Sequence, residues 1–166
     1  WAKKAHHLGD RDYYSVDAWT WNMPRYEVAT TAADLRWFHE RKTIGVSAES
    51  EVNFGSFGVD YWIAARLMHN LNQDLETLLA DYFTAGYGPA APVIRRYWER
   101  WADGRGVSSD RLALALRDLQ EADRLAADNE EVRERIRALK TYLHYLRLYR
   151  ENGRRTPSTR WRPARG

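Results

Sequence analysis

Cysteine is missing from the 166 residues, and methionine (two), proline (five) and lysine (four, against 22 arginines) are scarce. Without a thiol the chain holds no disulfide framework, no zinc–thiolate centre and no cysteine nucleophile. It needs no such staple, because a folded chain of this size buries roughly 70% of the surface its unfolded form exposes. Long hydrophobic runs are missing too. No stretch approaches the roughly 18 consecutive apolar residues of a membrane span, and Trp1 to His7 lacks the basic-then-apolar order of a signal peptide. A membrane partner is therefore not expected, and the compartment stays open. No P-loop, GxGxxG turn, GxSxG elbow or HExxH helix occurs. The histidines do not gather either: His6 and His7 take adjacent helix positions that diverge by about 100°, and His39, His69 and His144 stand alone. Neither a metal nor a cofactor is expected.

What the chain does have is aromatic rings with polar edges, eight Trp and ten Tyr against four Phe. Such rings suit binding surfaces, because an apolar face comes with a hydrogen-bonding tip. The net charge of +3 is divided unevenly: residues 1–90 hold 8 basic and 12 acidic side chains, residues 91–166 hold 18 and 11. From Arg147 to Gly166 seven arginines face the single acid Glu151, among Gly153, Pro157 and Pro163. That composition reads as a solvated, flexible tail over residues 154–166. A phosphate-binding arm is the other reading. The helices before the tail mix both signs, so nucleic acid is not the expected partner.

Residues 1–9 read as a helix end closing at Gly9, Tyr13 to Trp19 as a buried strand, and Thr20 to Val28 as a loop. Thr30 or Thr31 can cap a helix whose apolar side carries Leu35, Trp37 and Phe38. Thr43 to Ala48 is a second strand, and the loop Asn53 to Gly58 borders a site. Two strands joined through a helix form a βαβ crossover, whose strands lie parallel. Beyond Gly58 the pattern is helical. A helix over about Val59 to Asn70 comes first. The next, capped by Asp74, carries a stripe of Leu75, Leu78, Leu79, Tyr82 and Phe83, and Gly86-Tyr87-Gly88 ends it. Pro89 opens a third, which buries Val93, Ile94, Tyr97, Trp98 and Trp101. Gly104 and Gly106 break the chain before a fourth, capped by Ser108 or Ser109, with Leu112, Leu116, Leu119 and Leu125. Asp128 and Glu131 form a capping-box pattern for a fifth, whose Val132, Ile136, Leu139, Leu143 and Leu146 make a 4-3-4-3 packing seam ending at Asn152-Gly153.

The expected fold is thus α/β and predominantly helical. A two-stranded parallel sheet is not stable in water by itself. Either the chain pairs with something else, or it is the last βα part of a larger TIM-type (β/α) barrel followed by a helical bundle. A whole barrel takes about 250 residues, more than this chain provides. Residues 1–58 then hold the terminal strands and their connecting helix, 59–153 the helical region and 154–166 the basic tail. The absence of a Met at position 1 adds the expectation that the reading frame continues upstream.

Asp17 sits in the first expected strand, and Glu49 and Glu51 follow the second. In a parallel α/β unit both positions fall at the C-terminal edge of the sheet, where such folds place their sites. Paired carboxylates are what glycoside hydrolysis requires, one protonating the leaving oxygen and the other attacking or activating water. Trp19, Trp21, Tyr26, Asn53, Phe54 and Phe57 surround them in sequence, and aromatic faces there would stack on sugar rings. Acids after strands also cap helices, and aromatics at strand ends also fill cores.

The run Tyr61-Trp62-Ile63-Ala64-Ala65-Arg66-Leu67-Met68-His69-Asn70, then Asn72-Gln73-Asp74, then Asp81-Tyr82-Phe83-Thr84-Ala85-Gly86-Tyr87-Gly88-Pro89-Ala90-Ala91, resembles a bacterial family. That family is a domain of unknown function in large carbohydrate-active proteins similar to β-hexosaminidases and α-glucuronidases. Tyr13-Tyr14, Asp34-Leu35-Arg36-Trp37-Phe38 and Ile44-Gly45-Val46-Ser47 resemble it as well, so the likeness covers about residues 1–102. His69 stands where a Trp is usual and Leu71 where a Pro is usual, both near a helix end. The resemblance implies the C-terminal part of a glycosidase-like barrel with a helical extension. A carbohydrate is the expected substrate, and the remainder of a larger chain or another subunit the expected partner. It also implies that further acids sit on earlier barrel strands. The rival expectation is a non-catalytic helical module that uses the seam and the basic tail to bind a protein or nucleic acid.

Overall fold

A computed structural model describes residues 3–12, 24–48 and 54–155 of the protein, with backbone alone for 54–57 and 153–155. Along the chain come β1 (Leu8–Asp12), α1 (Val28–Glu40), β2 (Thr43–Ala48), α2 (Phe54–His69), α3 (Leu75–Tyr87), a 3-10 turn over Gly88–Ala90, α4 (Ala91–Glu99), α5 (Ser109–Leu125) and α6 (Glu130–Arg155). The fold is α/β and predominantly helical, with a small parallel sheet.

β1 and β2 pair side by side in parallel. The βαβ order is as expected, but the first strand comes earlier. Leu8 and Gly9 lie in β1, where the sequence suggests a helix end; the expected strand Tyr13–Trp19 falls outside the described residues. Leu-Gly-Asp-Arg-Asp has one apolar side chain, and Gly and Asp are depleted in strands. Its extended form comes from pairing with β2. The register passes from Leu8 opposite Thr43 to Gly9 opposite Gly45, so Ile44 is the extra residue of a bulge. Beyond the bulge Asp10 pairs with Val46 and Asp12 with Ala48 on a half-buried face, while Arg11 and Ser47 share the exposed face. Val46 and Ala48 pack against the core, and Ile44 stays 70% exposed.

α1 begins three residues before the expected caps, with Glu27 at its N-cap, and Thr31 is buried inside its first turns. Leu35 is buried as the stripe requires, whereas Trp37 is half exposed, with the Arg41 guanidinium 3.8 Å above its ring. α2 begins at Phe54, so Phe54 to Gly58 is helical backbone and not a site-edge loop. The burial of Gly58, Val59 and Asp60 explains the difference, because packing outweighs the roughly 1 kcal/mol that glycine costs a helix.

The later helices follow the pattern more closely. Asp74 caps α3 by accepting the Thr77 amide at 2.8 Å and the Thr77 hydroxyl at 2.9 Å. The helix stops where Gly88 takes φ +49°, a region closed to most side chains. Val93, Ile94, Tyr97, Trp98 and Trp101 are all buried. Ser108 caps α5 through the Arg111 amide at 3.1 Å. Leu112 and Leu119 are buried, but Leu116 and Leu125 are 44% and 45% exposed. The cap of α6 is Asn129, whose side chain accepts the Val132 amide at 3.1 Å, in place of the expected Asp128–Glu131 box. α6 continues through Asn152 and Gly153 to Arg155.

One hydrophobic cluster runs from Tyr26 to Leu146, and the expected division at residue 58 falls inside α2. The seam residues Val132, Ile136, Leu139, Leu143 and Leu146 are buried within it, with α6 packed on α2, α3 and α5. Each fully buried Leu or Ile contributes about 1.5–3 kcal/mol. α4 is pinned to α5 by Asp118, 3% exposed, which accepts Arg96 Nε at 2.8 Å and is also bound by Arg100. Among the described residues no helix is long and apolar enough to cross a membrane.

Candidate functional site

The parallel pairing decides where a site can form. Asp12 and Ala48 are register partners at the last positions of β1 and β2, so both strands leave the sheet on the same edge. In sequence, residues 13–27 connect β1 to α1, and residues 49–53 connect β2 to α2. Neither helix has an acid of its own in its first turn. The helix-dipole field at this edge therefore favours negative charge. Glu27, at the N-cap of α1, makes no side-chain cap and is instead paired with Arg25 at 2.6 Å.

Asp17, Trp19, Trp21, Glu49, Glu51 and Asn53 lie outside the described residues. Phe54 is the first residue of α2. Tyr26 is 7% exposed and belongs to the core, so its ring has no free face. Burial pushes its hydroxyl well above the ordinary tyrosine range, and Asp60 is among the charges adding to that push.

Beneath the edge is a polar pair that sequence reasoning missed. Asp60 on α2 is 1% exposed and Thr31 on α1 is 4% exposed, and the Thr31 hydroxyl donates to Asp60 Oδ1 at 3.5 Å. Burial also drives the Tyr82 hydroxyl far up, with Asp60 contributing. A signal was present: Asp60, Ile63, Ala64 and Leu67 occupy i, i+3, i+4 and i+7, which puts a carboxylate on an otherwise apolar stripe. Asp10 and Asp12 on β1 were missed as well, since β1 carries no strand signal. Partial burial, then the neighbouring Asp12 and more weakly Asp34, raise the Asp10 carboxyl above its ordinary value. Among the described residues no cluster of His, Asp or Glu is placed to hold a metal.

A shallow apolar groove of about 340 Å³ runs beside β2, between Leu35 and Phe38 of α1, Ile44 and Val46 of β2, and Met68 of α2. Ile44 and Met68 are large apolar side chains left 70% and 45% exposed there.

The architecture defines a helical α/β protein whose two short parallel strands end on one edge, followed in sequence by a segment with Asp17, Trp19 and Trp21 and by one with Glu49 and Glu51. The chain belongs to the family described as a domain of unknown function (DUF4838), whose model matches residues 1–99. The match ends with the last residue of α4, so α5 and α6 stand outside it. No curated protein and no solved structure matches the chain.

Proposed function

We propose that the protein is the C-terminal part of a carbohydrate-active, glycoside hydrolase-type (β/α) barrel, with α3 to α6 as a helical extension. The observation that carries this reading is the shared exit of β1 and β2 at Asp12 and Ala48 into the segments that hold Asp17, Trp19 and Trp21 on one side and Glu49 and Glu51 on the other. Glu49 follows the end of β2 directly, one strand away from the end of β1. The proposal requires the carboxylates of these two segments to come within the roughly 5–9.5 Å of a glycosidic pair, across strands spaced by about 4.8 Å. The uncovered apolar groove beside β2 supports a sheet that continues with further strands. The family's resemblance to β-hexosaminidase- and α-glucuronidase-type proteins supports the sugar chemistry.

In this role Asp17 and Glu49 or Glu51 line the sugar. A carboxylic acid protonates the departing glycosidic oxygen, and a carboxylate opposite it attacks the anomeric carbon or takes a proton from water. Trp19, Trp21 and Phe54 supply stacking faces and Asn53 a hydrogen-bonding edge, while Tyr26 belongs to the core. The test is a panel of aryl glycosides and oligosaccharides, read by product release and Trp fluorescence, on this chain and on the open reading frame that carries it. Binding lost in Trp19→Ala and Trp21→Ala with folding retained supports the proposal; no cleavage and no binding of any sugar overturns it. The alternative, an interaction module, needs a surface other than the seam of α6, which the chain's own helices cover.

A further inference from the structure

α5 and α6 lie beyond the family match, and they carry a feature that the core does not need. Arg150 hydrogen-bonds Ser109, and Lys140 meets Asp123 at 2.8 Å, so the two helices run antiparallel. Between them is a groove of about 500 Å³ floored by Leu112, Leu116 and Leu143. On α5 the lining recurs at 109, 112, 113 and 116, and on α6 at 140, 143, 144, 147 and 151, so the groove follows both helix axes. At 1.5 Å per residue the α6 wall is about 16 Å long, three turns of helix. Leu116 falls at a core position by its spacing, yet it is 44% exposed because nothing in the described chain lies over it.

The wall is basic. Lys140, His144, Arg147 and Arg150 line it against the single acid Glu151. Lys140 is engaged by Asp123, and Arg147 reaches Glu151 only at 4.0 Å while its guanidinium sits 3.2 Å from His144 Nδ1. Arg150 meets no carboxylate among the described residues, only the Ser109 hydroxyl. An apolar floor three turns long beside an excess of cations fits an apolar stripe flanked by acids. A second copy of the chain brings the same cations to a two-fold contact and is repelled. The arginine-rich segment 154–166 is excluded for the same reason. A nucleic acid would leave the leucine floor uncovered.

We propose that the α5–α6 groove receives a short amphipathic helix of a partner protein, with leucine-type side chains against Leu112, Leu116 and Leu143 and with Asp or Glu against Arg147 and Arg150. The ridges of such a helix fit the groove between two antiparallel helices and complete a three-helix packing unit.

The probe is a fluorescein-labelled 15-residue helical peptide with leucines at i, i+3, i+4 and i+7 and glutamates on both flanks. One twin carries lysines for the glutamates, and another carries serines for the leucines. Anisotropy titration of the 166-residue chain should give saturable binding of the first peptide, at least tenfold weaker for either twin. Leu116→Ser, at an exposed position, should abolish binding while circular dichroism and melting stay unchanged, and the double variant Arg147→Gln, Arg150→Gln should weaken it about tenfold. Amide shifts mapped by NMR should fall on residues 109–116 and 140–151. The proposal is overturned if the first peptide does not bind, if the lysine twin binds equally well, if Leu116→Ser leaves binding intact, or if a single-stranded oligonucleotide alone perturbs these residues.

Discussion

Thr31 of α1 and Asp60 of α2 meet in the interior, each less than 5% exposed, with the threonine hydroxyl directed at the aspartate 3.5 Å away. The contact joins the two helices that start at the open edge of the sheet. A bond of that length is weak in itself. Its importance lies in what its loss would strand, since a buried polar group without a partner costs about 1–3 kcal/mol.

Asp60→Ala should therefore destabilise the protein by about 2–4 kcal/mol, combining the stranded hydroxyl with the space left behind. Asp60→Asn keeps an acceptor in place and should cost less than about 1.5 kcal/mol. Urea titration separates the two, the midpoint moving while the slope stays fixed. An alanine variant within about 0.5 kcal/mol of the parent would mean that Asp60 has no structural role there.

The sheet carries the opposite kind of carboxylate. Asp10 is raised by partial burial, by Asp12 and by Asp34, so its ionised form is disfavoured in the folded state. A raised folded-state value makes its contribution most favourable below the unfolded value of about 3.9. That contribution is lost as pH rises through the raised folded value. Asp10→Asn should accordingly stabilise the protein at pH 7, and the gain should vanish below about pH 4. Asp123 is the counterexample, held below its ordinary value by the Lys140 ammonium. Its stabilisation is complete above about pH 4 and drains away as pH falls through the lowered value, so Asp123→Asn should be costly at pH 7 and neutral in acid. Melting curves of both variants between pH 3 and 7 should move in opposite directions.

Asp118 offers a third test. It accepts from Arg96 and Arg100 at the α4–α5 contact while only 3% exposed, and Arg100 is itself 22% exposed. Removing the carboxylate leaves a half-buried guanidinium without a counter-charge. Asp118→Ala should cost about 2–4 kcal/mol, somewhat below a fully buried pair because both arginines retain water. Asp118→Leu should recover part of the loss through apolar packing, and a leucine variant as damaged as the alanine one would rule out the packing argument.

These cases also mark what could be read from the residues alone. α3 to α5 were legible because spacing and end signals agree, with Asp74, Gly88 and Ser108 where local chemistry requires them, whereas α6 showed its seam but neither its cap nor its end. Leu116 kept its spacing and lost its burial, because periodicity names a helix face and not the presence of something to cover it. β1 was illegible for the reverse reason: Gly9 to Asp12 is extended because β2 lies beside it. Asp60 was readable in retrospect, as an acid on an apolar stripe. Tyr26, placed at the sugar by its neighbours in sequence, is a core residue by its neighbours in space.

The side of β2 away from β1, unpaired among the described residues, gives the remaining prediction. Ile44 is the bulge residue, 70% exposed, and with Met68 at 45% it lines the groove beside β2, where the proposed barrel would need a further strand. Unpaired edge groups beside exposed apolar side chains favour strand addition between molecules. The chain should self-associate with rising concentration, as read by light scattering after size exclusion. Ile44→Lys places a charge on the edge and should restore monodispersity, at a folding cost within about 0.5 kcal/mol because the side chain is already in water. If the parent chain stays monomeric at high concentration and Ile44→Lys changes nothing, the edge is not an association surface, and the proposal of a continuing sheet loses its support.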